Sequence, residues 1–221
     1  MAHRTPGHRF VGPAKHPNVE TEGIVTDIVH CPGHSAPLME VRSPSGEESL
    51  TFAPESITVG EKISFCQGAE IKPGNVLPLK EIPEGTLIHN IELRPGDGGK
   101  LVRASGTFAK VLTHGELGTT VKLPSNKEKL LLSECRAAIG TISGAGRQEK
   151  PFMKAGVRWK RMRARNQLYP VVCGISMSAV DHPFGGKCSH IKGRPTLSPR
   201  SAPPGRKVGK IAPSRTGRRQ R

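Results

Sequence analysis

EGIVTDIVH (22–30), PLMEVRS (37–43) and EESLTFA (47–53) decide the fold. Each is short, rich in β-branched residues, and set off from the next by a turn signal: PG, then SPSG, then PES. Apolar runs of this length between Gly, Pro and Ser clusters predict strands, and their spacing of roughly 8–12 residues predicts a small barrel or sandwich. KISFC (62–66) predicts one more strand.

Outward from these runs, GAEIKPGNVLPLKEIPEG (68–85) carries three prolines and predicts an irregular boundary between two β modules. TLIHNIEL, the turn RPGDGG (94–99), KLVRASGTFAKVLTHG, ELGTTVKL, KEKLLL and AAIGTISGA follow. They predict a second small barrel, with Leu101, Val102, Phe108, Val111 and Leu112 in its core. RQEKPFMKAGVRWKRMR (147–163) is the one convincing helix, since Pro151 is tolerated in a first turn. Residues 1–19 are polar and rich in His, Pro and Gly, and predict an extended arm. The expected organisation is an arm over 1–19, a first β module over 20–80, a second β module with a short basic helix over 81–165, and an extended basic tail over 166–221. The fold class is mainly β with little helix.

Charge divides the chain more sharply than hydropathy does. The net charge is +16, yet residues 1–149 hold 16 Lys and Arg against 17 Asp and Glu. Residues 150–221 hold 18 Lys and Arg and a single acid, Asp181. A balanced body joined to so cationic a segment points to a polyanionic partner, because the segment's self-repulsion needs neutralising. Residues 182–221 contain 11 Lys and Arg and 12 Gly and Pro, too little apolar surface to fold alone. Neither heptads nor a helix-turn-helix pattern supports major-groove readout of DNA. A Pro- and Gly-rich basic strand suits the crevices of a folded RNA. The cysteines, Cys31, Cys66, Cys135, Cys173 and Cys188, are odd in number and widely spaced, which argues against a disulfide framework and for a reducing cytosol. No run of about 18 apolar residues predicts a membrane span, and the N-terminus carries no secretory pattern. The expected location is cytoplasmic.

Three chemistries compete with RNA binding. Asp181 beside His182, with Ser176 and Ser178 near in sequence, suggests a hydrolase or transferase, but adjacent side chains diverge in extended chain. The alternative is that Asp181 caps a turn while His182 makes a hydrogen bond or stacks on a base. His30, Cys31 and His34, with Cys188 and His190, offer metal-ligating types without paired zinc spacing, so neither metal nor cofactor is expected. The glycines match no phosphate loop; Gly185 and Gly186 let backbone approach a phosphate chain. A sequence-tolerant RNA chaperone remains a further alternative. Arg158, Arg161, Arg163, Arg194, Arg200, Arg206 and Lys207 are the expected phosphate contacts. Asp181 sits in the same expected RNA-facing loop, and His182 and Trp159 are the expected base contacts, although Trp159 could equally pack under its helix.

The residues then resemble a family. GNVLPLKEIPEGTLIHNIELRPGDGGKLVRASGT (74–107) is similar to the central signature of the universal large-subunit ribosomal protein L-two family. MSAVDHPFGG (177–186) resembles that family's MNPVDHPHGG motif, KAGVRWKRMR (154–163) its AG-x-x-RW segment, and APPGRKVGKIAPSRTGRR (202–219) the ending of the archaeal and eukaryotic branch. Phe184, Ser178 and Ala179 depart from the motif, and Lys187 and Cys188 interrupt its glycine run. The resemblance implies an OB-like barrel, an SH3-like barrel and a C-terminal extension inserted into large-subunit ribosomal RNA near the peptidyl transferase region. It implies large-subunit rRNA, other ribosomal proteins and the small subunit as partners, and a structural role rather than an enzymatic one.

Overall fold

The computed structural model describes residues 7, 9–17, 22–186 and 197–212. The chain separates into two compact units after Gln167. In the first, β1 (Glu22–Val29), β2 (Leu38–Arg42), β3 (Glu48–Phe52) and β4 (Lys62–Ser64) form an antiparallel sheet in the order β3-β2-β1-β4. The alternation seen in the sequence sets its faces. Gly23 and Val25 are buried while Glu22 and Ile24 are exposed, as a period of two demands. A bulge between Val25 and Asp27 shifts the β1–β2 register. The SPSG turn closes with Gly46 N–H donating to Ser43 O at 2.9 Å, and Gly46 takes φ +86°, a left-handed conformation that favours glycine.

A second antiparallel sheet comprises β5 (Val76–Pro78), β6 (Leu87–His89), β7 (Ala109–Gly115), β8 (Gly118–Lys122), β9 (Glu128–Leu131) and β10 (Arg136–Ile139), ordered β5-β10-β6-β7-β8-β9. The fold is therefore mainly β, with two antiparallel sheets in succession, as the strand and turn signals predict. The stretch read as an irregular boundary contributes β5 and a 3-10 turn at Leu79–Glu81. β5 lies at the edge of its sheet, the place where a strand tolerates proline. The second sheet thus starts at Val76, ahead of the boundary expected at 80.

Leu77, Leu79, Ile82, Ile88, Ile91, Val111 and Val121 fill the second core. Each such side chain contributes about 1.5–3 kcal/mol on burial. Val111 matches expectation, and Leu101 and Val102 pack at the core's margin. Phe108 does not: it is 45% exposed, because Ala109 and Val111 take the inward positions of β7 and leave their neighbours outside. The first core holds Val25, Met39, Val41, Ile63 and Phe65, and it also takes Val76 and Ala138 from the second sheet. Ile142 packs with Leu38 and Phe52. Backbone bonds reinforce the junction, with Glu55 N–H on Thr141 O at 2.9 Å and Ser143 N–H on Ala53 O at 3.1 Å.

The described part of the N-terminal stretch is extended but closely packed. Lys15 N–H donates to Leu50 O at 2.9 Å and His16 N–H to Gly98 O at 3.0 Å. Ala14 and His16 are buried, and Arg103 and Arg136 donate to the carbonyls of Ala14 and Pro17 at 2.8 and 2.7 Å. The helix α1 spans Ala155–Ala164, shorter than the 147–163 expected. Residues 147–154 form turns and bends instead, and Lys154 at the N-cap is extended with no side-chain cap. No helix among the described residues is long and apolar enough to cross a membrane.

Candidate nucleic-acid interface

α1 buries none of its residues. A ten-residue helix without a buried face is marginal in water, so its ends must hold it. At its C-terminal end Arg165 Nε donates to Pro32 O at 3.3 Å. A Cβ on Gly7 would collide with the carbonyl of Ala164, so the chain there approaches as only glycine permits. The last turn carries Arg161 and Arg163, where cations meet the negative end of the helix dipole favourably.

The exposed face pairs arginines with aromatic rings. The Arg163 guanidinium lies 5.1 Å from the Trp159 ring centroid, and Arg161 lies 5.1 Å from that of Phe152. Trp159 remains 42% exposed, so its ring is not packed away under the helix. Planar guanidinium-on-ring pairs hold the donor forks in fixed directions and offer flat faces to a base. The Trp159–Arg163 pair follows from their four-residue spacing on a helix. The Phe152–Arg161 pair had no such signal, because Phe152 precedes the helix. Arg158 is exposed on the same helix.

In the second unit, Asp181 and His182 occupy a tight loop. Asp181 N–H and His182 N–H donate to Ser178 O at 3.1 and 3.2 Å, Gly185 N–H to His182 O at 2.8 Å and Gly186 N–H to Met177 O at 3.0 Å. Phe184 N–H donates to His182 Nδ1 at 3.0 Å, and the two rings lie 5.1 Å apart. Nδ1 is therefore an acceptor, and the loop's own backbone orients the ring. Among the described residues no hydrogen bond joins the ring to Asp181, Ser176 or Ser178, the group a nucleophilic mechanism needs. Asp181 is exposed, His182 and Phe184 half-buried, Gly185 buried and Gly186 exposed. A Cβ on Gly185 would overlap the Ser178 carbonyl, and one on Gly174 would overlap the His182 ring.

Residues 197–212 contain β11 (Leu197–Ser198) and β12 (Lys210–Ile211), a short parallel pair. Ser198 is buried, and its Oγ lies 2.9 Å from Arg206 O and 2.8 Å from Val208 O while accepting from Val208 N–H at 3.2 Å. This hydroxyl staples a loop on which Arg200, Arg206 and Lys207 are all exposed. Part of the basic segment is thus a closed loop rather than uniformly extended chain. Arg194 lies outside the described residues, as do Lys187, Cys188 and His190.

HCPGH (30–34) is a turn, closed by His34 N–H on Cys31 O at 3.0 Å, with Cys31 buried. The His34 ring stacks on Phe10 at 5.4 Å and meets Phe52 edge-on at 5.5 Å. Burial, then Arg103 and Arg165, hold it below the ordinary histidine range. Among the described residues no group of three or more His, Cys, Asp and Glu is arranged to hold a metal.

Residues 72–204 match the family described as Ribosomal Proteins L2, C-terminal domain. The chain is 49% identical to the large ribosomal subunit protein uL2 of Methanothermobacter thermautotrophicus, over 99% of this chain and 93% of that protein. It is 49% identical to the uL2 of Natronomonas pharaonis, over 97% and 90%, and 49% identical to that of Haloarcula marismortui, over 97% and 91%. Matched at this identity along nearly its whole length, and with the two sheets and the MSAVDHPFGG loop in the expected order, the chain belongs to the large ribosomal subunit protein uL2 family.

Proposed function

We propose that this protein binds large-subunit ribosomal RNA through three surfaces: the basic face of α1, the 177–186 loop and the stapled loop over 197–212. In doing so it supports association of the two ribosomal subunits, tRNA binding and the integrity of the peptidyl transferase centre. It acts as a structural constituent of the large subunit rather than as an enzyme. Other ribosomal proteins and, across the subunit interface, the small subunit are its further partners.

The carrying observation is that α1 buries nothing while stacking two arginines on two aromatic rings. A helix so poor in packing and so rich in cations is built to be covered by phosphate. The expected organisation supports this reading: the charge-balanced β modules carry α1, and α1 and residues 166–221 supply the cations that reach the RNA. Arg158, Arg161, Arg163, Arg200, Arg206, Lys207 and Arg194 are the phosphate contacts, with Trp159 and His182 against bases. The exposed Gly186 lets the RNA backbone approach the loop next to Asp181, while the buried Gly185, expected to do the same, lets the loop close on its own Ser178 carbonyl.

Crosslinking in cells followed by sequencing of the attached RNA tests this. The expected result is enrichment of one large-subunit rRNA domain. Equal recovery of unrelated RNAs would favour a general RNA chaperone and sink the proposal.

A further inference from the structure

The first 149 residues carry no excess positive charge, yet the second sheet holds a cationic groove. β7 and β8 pair so that Lys110 stands directly opposite Lys122. Both are exposed, and neither has an ion-pair partner among the described residues. Like charges directly opposite each other destabilise a sheet, so an anion placed between them would relieve the pair. Lys122 has Glu128 as its register neighbour on β9, but Glu128 takes no part in lining the groove.

Phe108, two residues before Lys110, shares its outward face and is 45% exposed. Thr107, Phe108, Lys110, Lys122, Pro124 and Asn126 line a groove of about 370 Å³ that has no acidic residue in its wall. That volume falls in the range of small-ligand sites. The ingredients are an aromatic face, two ammonium groups and a side-chain amide able both to donate and to accept.

We propose that this groove binds one nucleotide of an RNA strand, its phosphate between Lys110 and Lys122 and its base on Phe108, with the Asn126 amide at the base edge. The identity of that RNA as ribosomal rests on the function proposed above; the groove's chemistry does not. The site lies within the charge-balanced part of the chain, where net charge gives no hint of it.

The test titrates the full chain and its F108L and K110Q/K122Q variants with a large-subunit rRNA transcript and with an unrelated transcript of equal length, across a range of KCl. K110Q/K122Q should weaken binding and flatten the dependence of log Kd on log salt by about 1, for the one phosphate the two lysines share. F108L should weaken binding about 10-fold, with the salt dependence unchanged, because a stacking face and not a charge is lost. Unaltered affinity and slope in both variants would overturn the groove and leave the tail and helix reading standing. Equal losses on both transcripts, with the parent chain showing no preference for rRNA, would overturn the functional reading and keep the groove as a general nucleotide site.

Discussion

The Glu92 carboxylate lies 2.9 Å from the Arg136 guanidinium, with none of the Glu92 side chain exposed. It also accepts N–H bonds from Gly96 and Gly98 at 3.2 Å each and from Arg136 at 3.0 Å. Burial by itself would raise this carboxyl, but the Arg136 side-chain and backbone N–H groups outweigh it and hold it below the ordinary range. Arg136 reaches on to Pro17 O, so one carboxylate ties the 94–99 turn, β10 and the N-terminal stretch together. Glu92→Ala strands a buried guanidinium and should cost about 3–5 kcal/mol. The readout is a lower urea midpoint at constant m-value; an unmoved midpoint would show that the pair does not hold the junction.

Acid should loosen the same region through two histidines. His16 and His89 are each pushed down to about 4, first by burial. His16 Nε2–H donates to Asn90 O at 2.6 Å and His89 Nδ1–H to Gly140 O at 2.9 Å; these bonds favour the charged ring, but burial outweighs them and keeps both rings neutral. Their folded-state values lie below the unfolded value of about 6.5, so the unfolded chain binds more protons between the two. The stabilisation is complete above pH 6.5 and is lost as pH falls toward 4, by an amount on the order of 3 kcal/mol per ring. Unfolding midpoints measured across that window should fall with acid, and His16→Gln should make the fall shallower. A flat profile would refute the neutral, buried assignment.

These long-range ties are what the sequence could not disclose. Strands β1 to β3 were legible because alternation and turn residues are local properties. The Ser178–Gly186 loop was legible as a motif, and the basic helix as a run of cations. His16 read as part of an extended polar arm because its partner Asn90 is 74 residues away. Phe108 read as core because hydropathy shows that a residue is apolar, not which face of β7 it takes. β5 was hidden by the prolines that confine it to an edge, and the Ser198 staple by its bonds to carbonyls 8 and 10 residues on.

Glycine geometry predicts a loop-specific loss. A Cβ at Gly185 overlaps the Ser178 carbonyl, a backbone atom that cannot swing aside. Gly185→Ala should therefore open the loop and drop rRNA affinity several-fold while leaving the unfolding of the two sheets unchanged, since their cores draw on other residues. Heteronuclear NMR of the amides at 181–186, with parallel thermal melts, separates the two effects. Unchanged loop chemical shifts would contradict the close approach.

Ser198→Ala removes a buried hydroxyl that serves two carbonyls and one N–H. Leaving such groups unpaired costs about 1–3 kcal/mol. The loss should appear as faster amide exchange at Val208, with rRNA affinity reduced because Arg200, Arg206 and Lys207 are no longer held on one loop. Wild-type exchange rates in the variant would mean that the staple does not order the segment.

The Trp159–Arg163 pair separates charge from stacking on α1. Arg163→Gln deletes one cation, so the slope of log Kd against log salt should fall by about 1. Trp159→Leu keeps every charge, so the slope should hold while affinity drops by about 1–3 kcal/mol at all salts, the worth of one stacked base. Because the guanidinium lies 5.1 Å over the ring, removing either partner also frees the other, and the double variant should lose less than the two singles combined. Neither change should shift thermal stability by more than about 0.5 kcal/mol, as α1 has no buried residue. If Trp159→Leu instead lowers the melting temperature and spares RNA affinity, the ring is a packing element, and the arginines act on phosphate without it.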